Sequence, residues 1–475
     1  MLEETQRIHI SGLDSGRAAA MARVLAGRGF EVSGSAMRSI PALDGLREAG
    51  ITIGTLGADS DFDDIDVVVA PSDHSDGSPE YDAARRLDVA VVDEAGVLRH
   101  LIDTGRSIGV TGTHGRATVS AMISWILDCA GRDPGFVVST RAHNFGVEGR
   151  DSGGEWFVVE LDERVASHHE IHCDYVVCNF LEADSRGVYG GIDKLVEAMR
   201  KFLESNHCLK EAFINLDCLG NRELVSRLAL RPTGYAMEHR AEFRGERILG
   251  SNPQFNAFHR DLELGEFGLS IPGGYNAVNA LGAMAVAYRL GIDIDVIAGA
   301  LGTFEGLENR YTVANGGGVT IVKDFVRHPT AVGRVMRSVV SEGGDDDRVV
   351  AVCQLPSPIG DYGDVDAYAD ALDGCDEVLL IDADGGDDPA VEQLSSILAE
   401  RVDTVIEAGD GKEVESYLID HSAAGDTAVF FGDDDVLRHA DHVQGALAAR
   451  AAETQEEGEQ PRFDGPLAEG GDSDD

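Results

Sequence analysis

The sequence predicts an α/β protein of three domains. An N-terminal Rossmann-like domain spans 1–105, a central phosphate-loop domain 106–312 and a C-terminal Rossmann-like domain 313–451, and a disordered acidic tail covers 452–475. Three observations carry this. Short apolar strands alternate with amphipathic helices from end to end, the pattern of parallel sheets with crossover helices. The 475 residues amount to about three domains at roughly 100–200 residues each. A glycine-rich turn joins a strand to a helix where the second unit opens.

In the first unit, Arg7–Ile10 reads as a strand, Ser15–Arg28 as a helix and Phe30–Ser33 as a strand. Val67–Ala70 and Val89–Val92 are further strands, with a helix between them after Pro79. The second unit begins near Arg106. Ile108–Thr111 is strand-like, and Thr118–Ala130 is helical, with Val119, Met122, Ile123, Ile126 and Leu127 on one face. Gly131 and Pro134 end that helix. Trp156–Glu160, Tyr175–Asn179 and Ala212–Asn215 read as buried strands. After Arg310 come the strands Val319–Lys323, Arg348–Val352, Glu377–Ile381 and Thr427–Phe431, separated by helices. From Glu453 onward apolar periodicity is lost, which predicts disorder.

Lys+Arg is 39 and Asp+Glu is 85, a formal net charge of −46. Such a surface repels phosphate backbones, which excludes non-specific nucleic-acid binding. The tail accounts for little of the charge, since Ala452–Asp475 holds nine acidic residues and one arginine. Only five lysines stand against 34 arginines. Acidic residues spread through the body with few lysines suit a cytoplasm of high salt, where screening over about 3 Å at 1 M removes self-repulsion. An acidic binding surface is the alternative. No run of 18 apolar residues predicts a membrane span. The start, Met1-Leu2-Glu3-Glu4, lacks the basic and then apolar character of a secretory signal. Seven scattered cysteines without a CxxC pair suit a reducing, cytoplasmic compartment.

The most informative stretch is Gly109-Val110-Thr111-Gly112-Thr113-His114-Gly115-Arg116-Ala117-Thr118. Glycines let the backbone curl so that successive N–H groups converge on an anion, and the helix N-terminus adds a favourable dipole. Taken alone, such a turn also occurs in α/β folds that bind nothing.

Gly112-Thr113-His114-Gly115 resembles the phosphate loop of the Mur ligases, and further matches follow in that family's order. Val159-Glu160-Leu161-Asp162-Glu163 resembles its acidic strand end, and Tyr175–Asn179 its strand ending in Asn. Gly274-Tyr275-Asn276-Ala277-Val278-Asn279 resembles its Asn-bearing helix start, and Phe304-Glu305-Gly306 with Arg310 its closing of the central domain. Lys323–Thr330 resembles the opening of its last domain, and Val429–Gly432 with Asp435 its final turn. Within that family the chain resembles the UDP-N-acetylmuramate–L-alanine ligase type.

The resemblance implies an ATP-dependent ligase that activates a carboxylic acid as an acyl phosphate and joins it to an amine or amino acid. Positioning and charge neutralisation then carry the catalysis. It implies ATP and Mg²⁺ as cofactors. Gly112, Thr113, His114, Gly115, Arg116 and Thr118 would cradle phosphates, and Glu163 would hold the metal. Asn276 and Asn279 would approach the adenine, unless they simply start a helix. Arg310 and Asp324 would touch the nucleotide from the domain interface, and His328 would face the cleft. Arg116, Glu163 and His328 are the candidate catalytic residues.

The departures from the family fall on chemistry. The loop lysine is Arg116, and the next hydroxyl residue, a magnesium ligand in the family, is Ala117. The family's metal-associated His corresponds to Ser185 in Ala183-Asp184-Ser185-Arg186, where Glu182 or Asp184 could supply an oxygen. The N-terminal loop reads Gly12-Leu13-Asp14-Ser15-Gly16, with Asp14 facing the place of a diphosphate and Ala36 where an acidic residue is expected. A standard UDP-sugar is therefore not the expected substrate. Two other readings stand beside the ligase. One is a nucleotide-binding homologue that has lost catalysis. The other is a scaffold whose domains bind another protein. His168-His169-Glu170-Ile171-His172-Cys173 is rich in metal-ligand types, but its spacing fits no zinc pattern and reads as a polar loop. Lys201 is not assigned a role, and His74 and His207 read as surface or capping residues.

Overall fold

The computed structural model describes residues 5–459 except 39–41, 56–61, 63, 71–78, 104, 183–188, 249–251, 345–346, 357–363 and 383–388. Ser185 and its neighbours, His74, Met1–Glu4 and 460–475 lie outside the described residues. Three sheets organise the chain. The first is parallel, with β1 (Arg7–Ile10), β2 (Glu31–Ala36), β3 (Thr52–Thr55), β4 (Val67–Ala70) and β5 (Ala90–Asp93) in the order 3-2-1-4-5. Such an order places a switch point beside β1, outside the carboxyl ends of the strands.

The helix Gly16–Gly27 that follows β1 is rich in alanine because it lies against the second sheet. A Cβ at Gly16 would collide with the Ser139 carbonyl, so only glycine fits there. Arg23–Glu148 and Arg28–Asp151 ion pairs flank this contact. As a result one apolar core, from Ile8 through Val137 to Leu224, runs continuously across the first two sheets.

The second sheet has ten strands: β6 (Arg106–Thr111), β7 (Gly135–Ala142), β8 (Val147–Arg150), β9 (Trp156–Glu160), β10 (Tyr175–Cys178), β11 (Glu211–Asn215), β12 (Thr233–Ala236), β13 (Phe243–Ile248), β14 (Gln254–His259) and β15 (Leu262–Gly268). Their order is 15-14-13-12-11-10-6-9-7-8. The strands β13–β15 and the pair β7–β8 are antiparallel extensions that sequence reading missed. Their alternating charges, as in Arg244-Gly245-Glu246-Arg247, belong to half-exposed sheet rather than to loops.

The third sheet comprises β16 (Thr312–Gly316), β17 (Val319–Asp324), β18 (Val349–Leu355), β19 (Glu377–Asp382), β20 (Thr404–Ala408) and β21 (Thr427–Phe431), in the order 16-17-21-18-19-20. Only β16 is antiparallel to its neighbour. The last helix, Asp434–Glu459, corrects one expectation: it continues past Glu453 instead of ending there. Ala and Glu are strong helix formers, so propagation carries the helix beyond the last apolar contact.

The histidine-rich segment also differs from expectation. Ala166–Glu170 is a 3₁₀ turn, not an open polar loop. His168 is buried, and its Nδ1 accepts the Asp162 N–H at 3.0 Å. His169 stacks on Tyr189, and His207 lies against His172 with Nδ1 atoms 2.7 Å apart. All seven cysteines are free thiols. Among the described residues no helix is long and apolar enough to cross a membrane.

Candidate functional site

The loop after β6 is shaped by two glycines that no other residue could replace. Gly112 has φ +126°, and a Cβ there would sit 2.5 Å from the Phe180 carbonyl. Gly115 has φ +76°, and a Cβ would press on the amides of Asn179 and Asn279. Between them Thr113 donates its N–H to the Phe180 carbonyl at 2.7 Å and its hydroxyl to the same oxygen at 3.3 Å. The loop is thereby strapped over the end of β10. Gly115 is the cap residue of the helix Arg116–Cys129, and among the described residues no side chain caps its first N–H groups. Those donors and the helix dipole form a site for an anion. Thr118 lies in the first turn, partly buried.

Arg116 does not stand free beside this anion site. Its Nη1 donates to the Gly112 carbonyl at 2.9 Å, to Asp162 at 3.3 Å and to Glu163, while Nε reaches Glu160 at 3.4 Å. The guanidinium is 13 % exposed and the three carboxylates are 3, 6 and 2 % exposed. Burial acts to raise the carboxyl pKa values, but Arg116 and its cationic neighbours hold Glu160 below its ordinary value and Asp162 well below. Arg17, from the first domain's helix, joins the cluster through Asp162 and Glu94, both at 3.3 Å. Arg164 binds Asp162 at 2.8 Å.

A second buried network ties the loop to the helix Asn276–Arg289. Asn179 donates to the His114 carbonyl at 3.0 Å and to Asn279 Oδ1 at 2.8 Å, and accepts the Tyr235 hydroxyl at 2.8 Å. Asn279 in turn donates to Asn276 Oδ1 at 2.9 Å, and Asn276 donates to the Pro272 carbonyl at 2.7 Å. Asn276 and Asn279 are thus brought to the loop, but their amides bond within the protein. Asn276 opens its helix, and Asn279 braces the loop through Asn179.

The third domain meets the loop directly. His328 caps the helix Pro329–Glu342, its Nδ1 accepting the Thr330 N–H at 3.3 Å. Its ring lies 5.5 Å from that of His114. Glu182, just after β10, accepts His114 Nε2 at 3.2 Å and Arg334 Nη2 at 2.8 Å, and the Arg334 guanidinium lies 4.0 Å from the centre of the Phe180 ring. Burial lowers the His114 pKa, and Arg334 adds to this against the pull of Glu182. Burial alone would raise Glu182, but His114 and Arg334 bring it down to about 2. Asp324 ends β17 as a buried carboxylate. It accepts the Tyr311 N–H at 3.2 Å and the Tyr275 hydroxyl at 3.5 Å through Oδ2, and Oδ1 has no partner among the described residues. Burial raises it to about 6, with Arg310 pulling the other way. Arg310 lies over the Phe325 ring and donates to the Phe325 carbonyl.

Comparison with known proteins matches residues 7–106 to the family described as "Mur ligase family, catalytic domain" and residues 110–287 to "Mur ligase middle domain". A UDP-N-acetylmuramate–L-alanine ligase of Myxococcus xanthus is 31% identical over 334 residues, covering 69% of this chain and 70% of that protein. The chain belongs to the Mur ligase family. A ligase of the same name from Geotalea daltonii is 27% identical over 447 residues, 92% of this chain and 97% of its own. The crystal structure of the UDP-N-acetylmuramate–alanine ligase of Thermotoga maritima has the same fold, with a TM-score of 0.78 at 19% identity, covering 95% of this chain and all (100%) of that one. A murein peptide ligase of Psychrobacter arcticus gives 0.72 at 19% identity, covering 93% and 99%.

Within this Mur ligase the residues at Glu163 do not fit a magnesium ion. Magnesium takes oxygen ligands in near-octahedral array. Ala117 offers no oxygen, and the carboxylates of Glu160, Asp162 and Glu163 already bind the Arg116 guanidinium. The expectation that Glu163 holds the metal therefore conflicts with its surroundings. Among the described residues two other groups bring ligand atoms within 4.8 Å of one another: His114, Glu182 and His328 at the loop, and Glu415, His439 and His442 on the third domain. Both are rich in imidazole, which suits transition metals better than magnesium. Sequence reading missed Arg17, Arg334 and Tyr235 as parts of the site. They match no motif and reach the loop only through tertiary packing.

Proposed function

We propose that this Mur ligase binds ATP between its second and third domains and joins a carboxylic acid to an amine through an acyl phosphate, with an acid other than a standard UDP-sugar. The observation that carries the reading is the glycine-bent loop with its uncapped helix start, faced across the cleft by His328 and Arg334. The loop N–H groups of residues 114–118 bind the phosphate chain. Asp324, whose buried Oδ1 has no partner among the described residues, accepts a nucleotide hydroxyl, and Arg310 lies alongside. The acid's carboxylate oxygen attacks the terminal phosphorus as ADP leaves. The amine nitrogen then attacks the acyl carbon, and phosphate departs from the tetrahedral intermediate. Arg334 neutralises charge on the transferred group, and His328 holds the proton that the amine loses. Docking of the third domain on the loop excludes the water that would hydrolyse an acyl phosphate.

What argues against a UDP-sugar is the charge in the first domain. Asp14 accepts the Met37 N–H at 3.3 Å beside the N-terminal loop. Glu80 is fully buried there, accepting the hydroxyls of Ser11 at 2.5 Å and Ser35 at 2.8 Å. A diphosphate at this loop would meet the Asp14 carboxylate.

A second reading is favoured by one observation, the closure of Arg116 on Glu163: a nucleotide-binding homologue without turnover. Isothermal titration with ATP in molar KCl tests the shared part, with binding expected and its absence overturning both readings. Phosphate release with UDP-N-acetylmuramate and L-alanine, and then with a panel of carboxylic acids and amino acids, separates them. Turnover with a member of the panel is expected from the ligase, and ATP binding with no release across the panel leaves the second reading.

A further inference from the structure

The end of β9 presents three carboxylates, Glu160, Asp162 and Glu163, beside the phosphate loop. Clustered carboxylates next to bound phosphates call for a cation. Here one is already present in the chain. Arg116 donates to all three and to the Gly112 carbonyl, which anchors the guanidinium to the loop itself. Of its nitrogens, Nη2 makes no hydrogen bond to any described residue. The guanidinium is therefore a cation fixed at the loop with donor capacity left over. Glu160 is further committed through its other oxygen, which accepts the Ser139 N–H at 2.8 Å.

The described residues around Glu163 give a divalent ion no complete oxygen shell. Nη1 holds Oε2 of Glu163, so a metal there would take Oε1 alone, directly beside the guanidinium charge, and position 117 gives no hydroxyl to complete a shell. Expelling the guanidinium would leave a buried cation unpaired, a strongly unfavourable change. We propose that the Arg116 guanidinium is the resident cation of the nucleotide site, so that this chain takes its nucleoside triphosphate as the metal-free anion. The inference rests on the reading of the loop as a nucleotide site. Three features then have one cause. Arginine replaces the loop lysine because a planar fork can bind several carboxylates and the loop carbonyl at once, which an ammonium does as a point charge. Alanine at 117 is tolerated because no metal needs its oxygen. Glu163 persists as the guanidinium's counter-ion.

The test is titration of the full-length chain with ATP at molar KCl, once with EDTA and once with MgCl₂. Wild-type affinities agreeing within about threefold are expected. The R116K/A117T variant, which restores an ammonium and a hydroxyl, should bind at least about tenfold more tightly with magnesium than with EDTA, a difference well above titration error. A wild-type affinity that falls about tenfold or more in EDTA overturns the inference and leaves the nucleotide site standing. Binding in neither buffer removes the nucleotide site and this inference with it. The wild-type comparison decides the matter even if the double variant does not fold.

Discussion

Replacing Arg116 with alanine tests the buried ionic cluster at the loop. The substitution removes a guanidinium that is 13 % exposed and leaves three carboxylates exposed by 3, 6 and 2 %. Asp162 keeps Arg17 and Arg164, and Glu160 keeps the Ser139 N–H, so the uncompensated charge falls mainly on Glu163. Breaking a buried pair from one side costs about 3–5 kcal/mol. Because two of the three carboxylates retain partners, the lower end, about 3 kcal/mol, is expected here. Urea denaturation in molar KCl at pH 7.5 measures it against wild type. Two controls sharpen the result. R116A/E163Q should recover roughly half the loss, since the second change removes the stranded charge. Lowering the pH should narrow the gap between R116A and wild type, because protonation discharges a buried carboxylate left without its counter-ion. A loss under about 1 kcal/mol, the range of a solvated surface pair, would refute the claim that the carboxylates hold the guanidinium.

Two further outcomes follow from the same geometry. Gly115→Ala places a methyl group against Asn179 and Asn279 at positive φ; a stability loss of about 2–4 kcal/mol in the same assay is expected, and less than about 1 would mean that the loop rearranges freely. Asp324, raised to about 6 by burial, binds more protons folded than unfolded between its ordinary pKa and that value, so its contribution becomes unfavourable as pH rises from about 4 to 6. Asp324→Asn should therefore gain stability on wild type as pH rises through this window, by up to about 3 kcal/mol above pH 6, and a pH-independent difference would contradict the assignment.

Much of the scaffold is legible from local pattern. Arg7–Ile10, Val67–Ala70, Trp156–Glu160 and Thr427–Phe431 have the bounds their apolar runs predict, because buried parallel strands need continuous apolar residues flanked by breakers. The half-exposed β13–β15 escaped notice because alternating charges look like loop when read one segment at a time. Helix past Glu453, where disorder was expected, escaped notice for the opposite reason. Its last turns follow helix propensity and carry no apolar stripe.

At the site, residue identity determined the loop: glycines at 112 and 115, arginine and alanine at 116 and 117, and the acidic run Glu160–Glu163 are chemistry that any reading of the chain contains. Which partner each residue takes was decided only by the packed structure. Arg116 and Glu163 are 47 positions apart, Arg334 and Glu182 are 152 apart, and Arg17 and Asp162 are 145 apart. A charge read from sequence has a sign but no neighbours, and its pairing depends on which strand ends and helix starts the three sheets bring together. That is why the sequence alone showed a phosphate loop with altered residues, whereas the fold showed the altered arginine closed on the carboxylate expected to bind a metal.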